Sequence, residues 1–481
     1  MFLDELFEDT PHIEINQLSI DSRLPMKDCI FFCIAGIKDD GHDFIKEAIK
    51  NGAKVIVYQN DIDTSLNAIF IKVKDTIDCL NKVAPKFYNY PSNKLETYIS
   101  SGCDDVEVIT YLLSNLLSNF TSVSSIGVNG IRYKENHLMS NVPTLNIIDT
   151  QKYLSNFVFN DIKVCLLEAD SLALSYKKLN GIKPDVFIYT NTNEYSAYYQ
   201  EMDVNYYDVM CSYLYTLDND TAIILNKDDV SYEELVKASG DNTFSYGKDI
   251  DSDYVIDDIV LYENKSEFSI KHDGNKYLFT TNLLGLRNIY NLAASLAALN
   301  VKGYDLNTLS SVLPLIKPMK GKMEPIIEGK YHAYIDDSND VVSLENVYSF
   351  ANKILKPNKK VIALIGINSS DEKESVKEIA NICSKYVSRV VLTQNRTYVG
   401  NTLNILKNAE TYFVKNRPLI VEDRRFAIEA AVNLLNSDDI LLVLGKGNEQ
   451  FITGNLGKES YDGDYKIAKA LIEERINEED I

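Results

Sequence analysis

KVCLLEA (Lys163 to Ala169), DVFIYTN (Asp185 to Asn191) and TAIILN (Thr221 to Asn226) decide how this chain folds. Each is a short β-branched run without polar alternation, the pattern of a parallel strand covered on both faces. Outward from them, strands alternate with helices from about residue 98 to 315, ending in the helical run NIYNLAASLAAL at Asn288 to Leu299. The last third repeats the grammar. KVIALIGI, SRVVLTQ and DILLVLGKG read as strands, and DEKESVKEIANICSKY and EDRRFAIEAAVNLLN as amphipathic helices between them. That alternation predicts a second doubly wound α/β domain. Near the start, CIFFCIAG (Cys29 to Gly36) and AKVIVY (Ala53 to Tyr58) flank a helix-like stretch that ends on Gly52. NYPSNKL (Asn89 to Leu95) and LPLIKPMKGKMEP (Leu313 to Pro325) carry the prolines expected of junctions. The expected division is therefore 1–97, 98–315 and 316–481.

Composition agrees. At roughly 150 residues per domain, 481 residues make about three. Lys+Arg 49 against Asp+Glu 70 leaves a net charge of −21, a surface that repels polyphosphate and argues against nucleic acid or an anionic membrane as partner. No apolar run approaches the ~20 residues of a membrane span. MFLDELFEDT carries acids where a secretory signal carries bases. Seven cysteines, an odd number spread from Cys29 to Cys383, do not make a disulfide framework. The expectation is a soluble, cytoplasmic, multidomain protein.

Short segments then order themselves along the chain: DSR (Asp21 to Arg23), DGHDFI (Asp40 to Ile45), FYNYPS, EADSLAL from Glu168, NKDD at Asn226, GLRNIYNLAA from Gly285, GKMEP from Gly321, EDRRFAIEAA from Glu422 and LLVLGKGNEQF from Leu441. In that order and spacing they resemble the Mur ligase family, most closely the type that adds an amino acid to a UDP-N-acetylmuramoyl dipeptide. The resemblance implies a three-domain α/β architecture: a small N-terminal α/β domain for the uridine nucleotide, a central ATPase-like doubly wound parallel sheet, and a C-terminal Rossmann-like domain for the amino acid. It also implies a cytoplasmic enzyme of cell-wall precursor metabolism, using ATP and Mg²⁺ to activate a carboxylate that an amino acid then attacks.

The catalytic motifs depart from that pattern. The family's phosphate loop, GTNGKTT, falls on GCDDVEV: Gly102 remains, Val106 replaces the Lys, and Glu107 the metal-binding Thr. A phosphate loop works because backbone N–H groups, a helix N-terminus and a Lys face an anion. Here Asp104, Asp105 and Glu107 face it instead. Two unit charges 4 Å apart repel by about 4 kcal/mol at an effective dielectric near 20. SIGVNGIRY (Ser125 to Tyr133) imitates the loop but reads as a turn after a strand. Glu168 matches the family's Mg²⁺-binding Glu, although a lone carboxylate is insufficient for a hard divalent ion and the residue also reads as a polar strand end. Tyr195 stands in place of a His, Cys211 in place of a carbamoylated Lys, and Asn339 in place of the third domain's His. Cys211 has no neighbouring His and reads as a small helix residue rather than a nucleophile. The amino-acid motif DNPR is reduced to QNRT at Gln394 to Thr397.

Substrate-side positions fare better. By resemblance Ser22, Arg23, Thr150, Ser171, Lys178, Gly445 and Glu449 are substrate-binding, and Gly102, Asn288 and Asn291 nucleotide-binding. No bound cofactor is expected. A UDP-N-acetylmuramoyl peptide or a cell-wall synthesis enzyme is the expected partner, and a non-catalytic family member the favoured reading over an active ligase or a purely structural protein. Asp104 followed by Glu107 has the spacing of a capping box, which predicts that carboxylates replace the bound phosphate at the helix N-terminus.

Overall fold

In the computed structural model, residues 1–36, 39–140, 142, 144–193, 206–327, 329–368, 373–395, 402–454 and 457–479 are described. The chain divides into two units, residues 1–192 with 201–244, and 193–200 with 245–481.

The first unit holds two sheets. Gln17–Ser19, Cys29–Phe32, Ala53–Tyr58 and Ile69–Lys72 lie side by side in chain order, all parallel. Cys29–Phe32 is buried at every position, as a strand without polar alternation must be. The helix expected before Gly52 forms as a 3₁₀ turn, Gly41–Phe44, continued by Ile45–Lys50. The helix Thr76–Phe87, capped by the Asp75 carboxylate on the Asp78 N–H, leads to a 3₁₀ turn at Pro91–Lys94.

The larger sheet of this unit runs in the order Ala222–Asn226, Val186–Tyr189, Glu96–Ser101, Val164–Ala169, Val123–Gly127, all parallel. The three runs that decide the fold are thus neighbours or near-neighbours in one parallel sheet. SIGVNGIRY makes the hairpin Val123–Gly127 and Gly130–Tyr133, extended by Asn136–Leu138 at the edge. After Glu96–Ser101 the chain crosses through the helix Val106–Leu117 to one side of the sheet, and later returns on the other. That reversal opens a crevice at the carboxyl end of Glu96–Ser101.

Thr243–Gly247 carries the chain into the second unit, where Tyr254–Leu261, Ser266–His272 and Asn275–Thr281 form an antiparallel meander. The long helix Leu286–Val301 follows, buried along most of its length. The second unit's six-stranded sheet runs Glu324–Ile327, His332–Asp336, Ile440–Leu444, Val361–Ile367, Arg389–Gln394, Leu419–Ile420, parallel except for the first pair. One face packs on the helices Val341–Ile354 and Lys373–Tyr386, the other on Arg424–Asn433 and Asp464–Glu479. Among the described residues no helix is long and apolar enough to cross a membrane. All seven cysteines are free thiols.

Candidate functional site

At the carboxyl end of Glu96–Ser101 the chain turns through Gly102, whose φ is +151° and where a Cβ would lie 1.9 Å from the Thr190 hydroxyl. Only glycine fits there. The turn is then tied to the end of the neighbouring strand. Cys103 N–H donates to the Asn191 carbonyl at 3.0 Å and Asp104 N–H to the Asn191 Oδ1 at 3.2 Å. In return the Thr190 hydroxyl and Asn191 amide donate to the Asp104 carbonyl at 2.8 and 3.3 Å. Behind them, Thr192 N–H donates to Asp229 at 2.8 Å and the Asn226 amide to the Thr190 carbonyl at 3.2 Å.

The expected capping box is absent, because the helix begins one residue later. Asp105, not Asp104, is the N-cap of Val106–Leu117; it is buried, left-handed at φ 63°, and its side chain makes no capping bond. Its carbonyl accepts the Val108 and Ile109 N–H groups. A capping box needs an extended cap residue, whereas the cap here is left-handed. Val106 and Glu107 occupy the first turn of the helix.

Glu168 ends its strand buried, with the Val128 N–H donating to its carboxylate at 2.7 Å. It lies flat on Gly127, where a Cβ would come within 2.3 Å of all three carboxyl atoms. Burial pushes its pKa up to about 8; the Val128 and Thr110 hydrogen bonds and Arg132 oppose this, and the charge of Glu107 adds to it. A carboxyl with that environment holds its proton at neutral pH.

Beside it the structure gathers a group that the motif reading misplaced. Thr150 faces inside the helix Ile147–Phe159, 1% exposed, its hydroxyl bonded back to the Asn146 carbonyl at 2.9 Å. Asn146 caps that helix, so Thr150 lies one turn into it and away from the crevice. Thr144 is the threonine at the strand end: its hydroxyl donates to the Glu168 carbonyl at 3.0 Å and to Asp170 at 2.9 Å. Lys178 Nζ reaches the Thr144 carbonyl at 3.3 Å, and Ser171 begins the short helix that Asp170 caps. The signal for Thr144 was its place two residues before a helix N-cap, close to the EADSLAL strand end in a doubly wound fold.

Ser22 and Arg23 lie in the small sheet's unit. The Ser22 hydroxyl, largely buried, donates to Glu47 at 2.5 Å, whereas Arg23 is exposed and held by Asp21 at 2.7 Å. Cys211 is half-buried on the helix Tyr206–Leu214, and burial, then Glu234 and Asp208, push its thiol up, which suits the small helix residue expected there. Tyr195 falls outside the described residues.

The second unit carries its own crevice at strand carboxyl ends. Arg424, fully buried, donates to Asp464 at 2.9 and 2.6 Å and to the carbonyls of Gln394 and Leu444 at 3.0 and 2.8 Å. It thereby ties two strand ends to the last helix. Lys446, 1% exposed, donates to Glu449 at 3.0 Å and to the Asn395 carbonyl at 3.3 Å, and burial pulls its pKa down. Gly445 and Gly366 make room for the buried Asn395 side chain between them. Asp336 is buried at the end of its strand; burial and Asp337 push it up to about 6 against the Ser338 hydrogen bond. Asn339 follows, exposed, before the helix Val341–Ile354. Asn288 and Asn291 are buried on Leu286–Val301, with the Asn288 amide bonded to the Leu284 carbonyl at 2.9 Å. The arginine and lysine were legible as letters in EDRR and GKG, but their pairing needed the fold. Of QNRT only Gln394 and Asn395 are described.

Comparison with known proteins decides the family. Residues 108–299 match the Mur ligase middle domain, and residues 14–88 match the Mur ligase family, catalytic domain. The chain belongs to the Mur ligase family. Among its relatives is a UDP-N-acetylmuramoyl-L-alanyl-D-glutamate–2,6-diaminopimelate ligase of Oceanobacillus iheyensis, 26% identical over 97% of this chain and 96% of that one. A UDP-N-acetylmuramyl-tripeptide synthetase 2 of the same organism is 28% identical over 91% and 90%. A solved UDP-N-acetylmuramoyl-L-alanyl-D-glutamate–2,6-diaminopimelate ligase superposes with a TM-score of 0.75 at 19% identity, covering 99% of both chains. MurF ligase from Thermotoga maritima, solved with ADP, superposes at 0.61 and 17% over 96% and 98%. The Mur ligase three-sheet α/β architecture expected from the motifs is the architecture of this chain.

The residues at the Gly102 turn do not fit the nucleotide and metal that the Mur ligase family implies. No Lys or Arg stands between Gly102 and Val108, and the Cys103 and Asp104 amides are taken by Asn191. Among the described residues no group of three or more His, Cys, Asp or Glu side chains is arranged to hold a metal ion.

Proposed function

We propose that this Mur ligase family protein serves cell-wall precursor metabolism in the cytoplasm as a non-catalytic member, binding a UDP-N-acetylmuramoyl peptide or a cell-wall synthesis enzyme without turning over ATP. One observation carries the reading. The turn that would cradle phosphates is bonded to Thr190 and Asn191, lacks a cation, and carries Asp104, Asp105 and Glu107 in its sequence. Positioning and charge neutralisation account for nearly all catalysis of phosphoryl transfer, and neither is provided there. The division at 1–97, 98–315 and 316–481 belongs to the same proposal, with the first domain as the nucleotide-sugar surface around Ser22 and Arg23.

The near full-length likeness to relatives named as a ligase and a synthetase favours a second reading, an active enzyme that handles nucleotide differently. A coupled assay separates the two. Phosphate release is measured with Mg²⁺, ATP, UDP-N-acetylmuramoyl-L-alanyl-D-glutamate and an amino acid, and binding of the same peptide by titration calorimetry. Heat of binding without phosphate release is expected. Release that depends on both the peptide and the amino acid would overturn the first reading.

A further inference from the structure

We propose that Asn129 is a site of spontaneous covalent modification, its side-chain amide leaving as ammonia to give aspartate or isoaspartate, and that His137 promotes the reaction. The chain holds three Asn-Gly pairs, beginning at Asn51, Asn129 and Asn180. In such a pair the glycine nitrogen can attack the asparagine Cγ, because no side chain on the glycine shields it. The chemistry needs only water, so the inference stands apart from the reading given under the proposed function.

Two of the three pairs are held against it. The Asn51 amide donates to the Ser22 carbonyl at 2.7 Å, and the Gly52 N–H to the Ile49 carbonyl at 3.1 Å. Asn180 is half-buried with its Oδ1 enclosed, and a Cβ on Gly181 would lie 2.5 Å from the Asn81 carbonyl. Asn129 is under no such restraint. It is exposed in the two-residue turn between Val123–Gly127 and Gly130–Tyr133, and among the described residues nothing binds its carboxamide. Gly127 and Gly130 form the last pair of that ladder, so the Gly130 nitrogen is released whenever this exposed end frays.

His137 distinguishes this turn further. From the edge strand Asn136–Leu138 its Nε2 donates to the Asn129 carbonyl at 2.9 Å, since a carbonyl can only accept. That carbonyl belongs to the very peptide whose nitrogen attacks. A proton donor on the oxygen draws charge from the nitrogen and makes its N–H easier to remove. The same Nε2 lies 3.3 Å from where a Gly130 Cβ would stand, so the ring covers the reacting peptide. The Gly130 nitrogen loses its proton and bonds to Asn129 Cγ; Nδ2 takes up a proton and leaves as ammonia, and a succinimide ring remains. Water adding at Cγ then opens the ring to aspartate. Water adding at the main-chain carbonyl carbon opens it to isoaspartate, whose backbone runs through the side chain.

The product alters the turn that holds Glu168. Val128, beside Asn129, donates its N–H to the Glu168 carboxyl at 2.7 Å. Either product adds a negative charge there, and isoaspartate also lengthens the turn by one backbone carbon. The Val128 bond to Glu168 therefore loosens as the protein ages.

Incubating the full chain in mildly alkaline buffer and following each Asn-Gly peptide by mass tests this. Conversion at Asn129 is expected at least about tenfold faster than at Asn51 or Asn180, with isoaspartate identified by electron-transfer fragmentation. His137→Leu, which lacks a donor, slows Asn129 at least about threefold, whereas His137→Gln, which keeps an N–H, stays within about twofold of the parent. His137 is exposed, so freshly made variants melt like the parent. Aged protein melts below fresh Asn129→Asp protein, which has the charge without the longer backbone. Conversion at Asn129 no faster than at the other two, a rate unchanged or raised by His137→Leu, or equal slowing by His137→Gln would each overturn the assignment. Equal melting of the aged and Asn129→Asp proteins would overturn the link to Glu168.

Discussion

Two crevices of this molecule occupy the same topological place, the carboxyl ends of parallel strands, and are closed by different means. In the first unit the Gly102 turn is tied down by neutral groups, the Thr190 hydroxyl and the Asn191 amide, and Glu168 is buried with a raised pKa. In the second unit the strand ends are crossed by ion pairs, Arg424 with Asp464 and Lys446 with Glu449. A sheet's open end leaves backbone groups that some partner must satisfy. Either uncharged loops or buried salt bridges can supply it, and the choice sets how each end responds to pH and mutation.

The ion-paired end breaks most expensively. Arg424→Ala leaves Asp464 as an uncompensated buried charge and frees two strand-end carbonyls, so a loss of about 3–5 kcal/mol is expected in urea unfolding. Replacing both partners together, Arg424→Met with Asp464→Leu, costs much less. Equal losses in the single and double variants would show that packing, not charge, closes this end.

The neutral end should answer to pH. Glu168 has its pKa raised from 4.5 to about 8 in the folded chain, burial being the chief cause. Between those values the unfolded carboxyl ionises and the folded one does not, so its contribution to stability falls as pH rises through that window. Below about pH 4.5 both states are protonated and the effect is absent. Glu168→Gln removes this slope. Between pH 5 and 8 the variant should gain on the parent by on the order of 3–4 kcal/mol, as read from paired denaturation curves. Parallel pH dependences in the two proteins would place an ionised carboxylate at this strand end.

The smallest effect sharpens the comparison at the helices. Asp340 makes the capping box that was expected of Asp104: its carboxylate accepts the Val342 and Ser343 N–H groups at 3.0 and 3.1 Å, and the Ser343 hydroxyl reaches back to the Asp340 N–H. Asp340→Ala should cost about 1 kcal/mol, and Asp104→Ala less than about half of that. The reverse order in thermal melts would restore the box to the first crevice.

Strands were the most legible part of the sequence. KVCLLEA, DVFIYTN and TAIILN fold as parallel strands because continuous apolar runs admit no other covered arrangement, and the helix through NIYNLAASLAAL forms where its small and apolar residues repeat. The antiparallel meander from Tyr254 to Thr281 was not legible, since its alternation is diluted by charges along Tyr254–Leu261. At the site, residue types were readable and geometry was not. The letters DD and E signalled an acidic turn, but one residue's left-handed φ at Asp105 moved the cap. Thr150 and Thr144 carry the same hydroxyl; only the position of the Asn146 cap tells which one stands at the strand end. The Arg424 and Lys446 pairs join segments 40 and three residues apart, so sequence proximity hints at one of them alone.

The fit of Glu168 against Gly127 bears on what a single substitution could do at this turn. A lysine placed at position 106 by itself would enter a turn whose Cys103 and Asp104 amides already have partners, next to an acid that burial keeps protonated. Lifting that acid off Gly127 gives nothing until the turn is also released from Thr190 and Asn191. Each single substitution at this turn therefore leaves it tied to Thr190 and Asn191 as before.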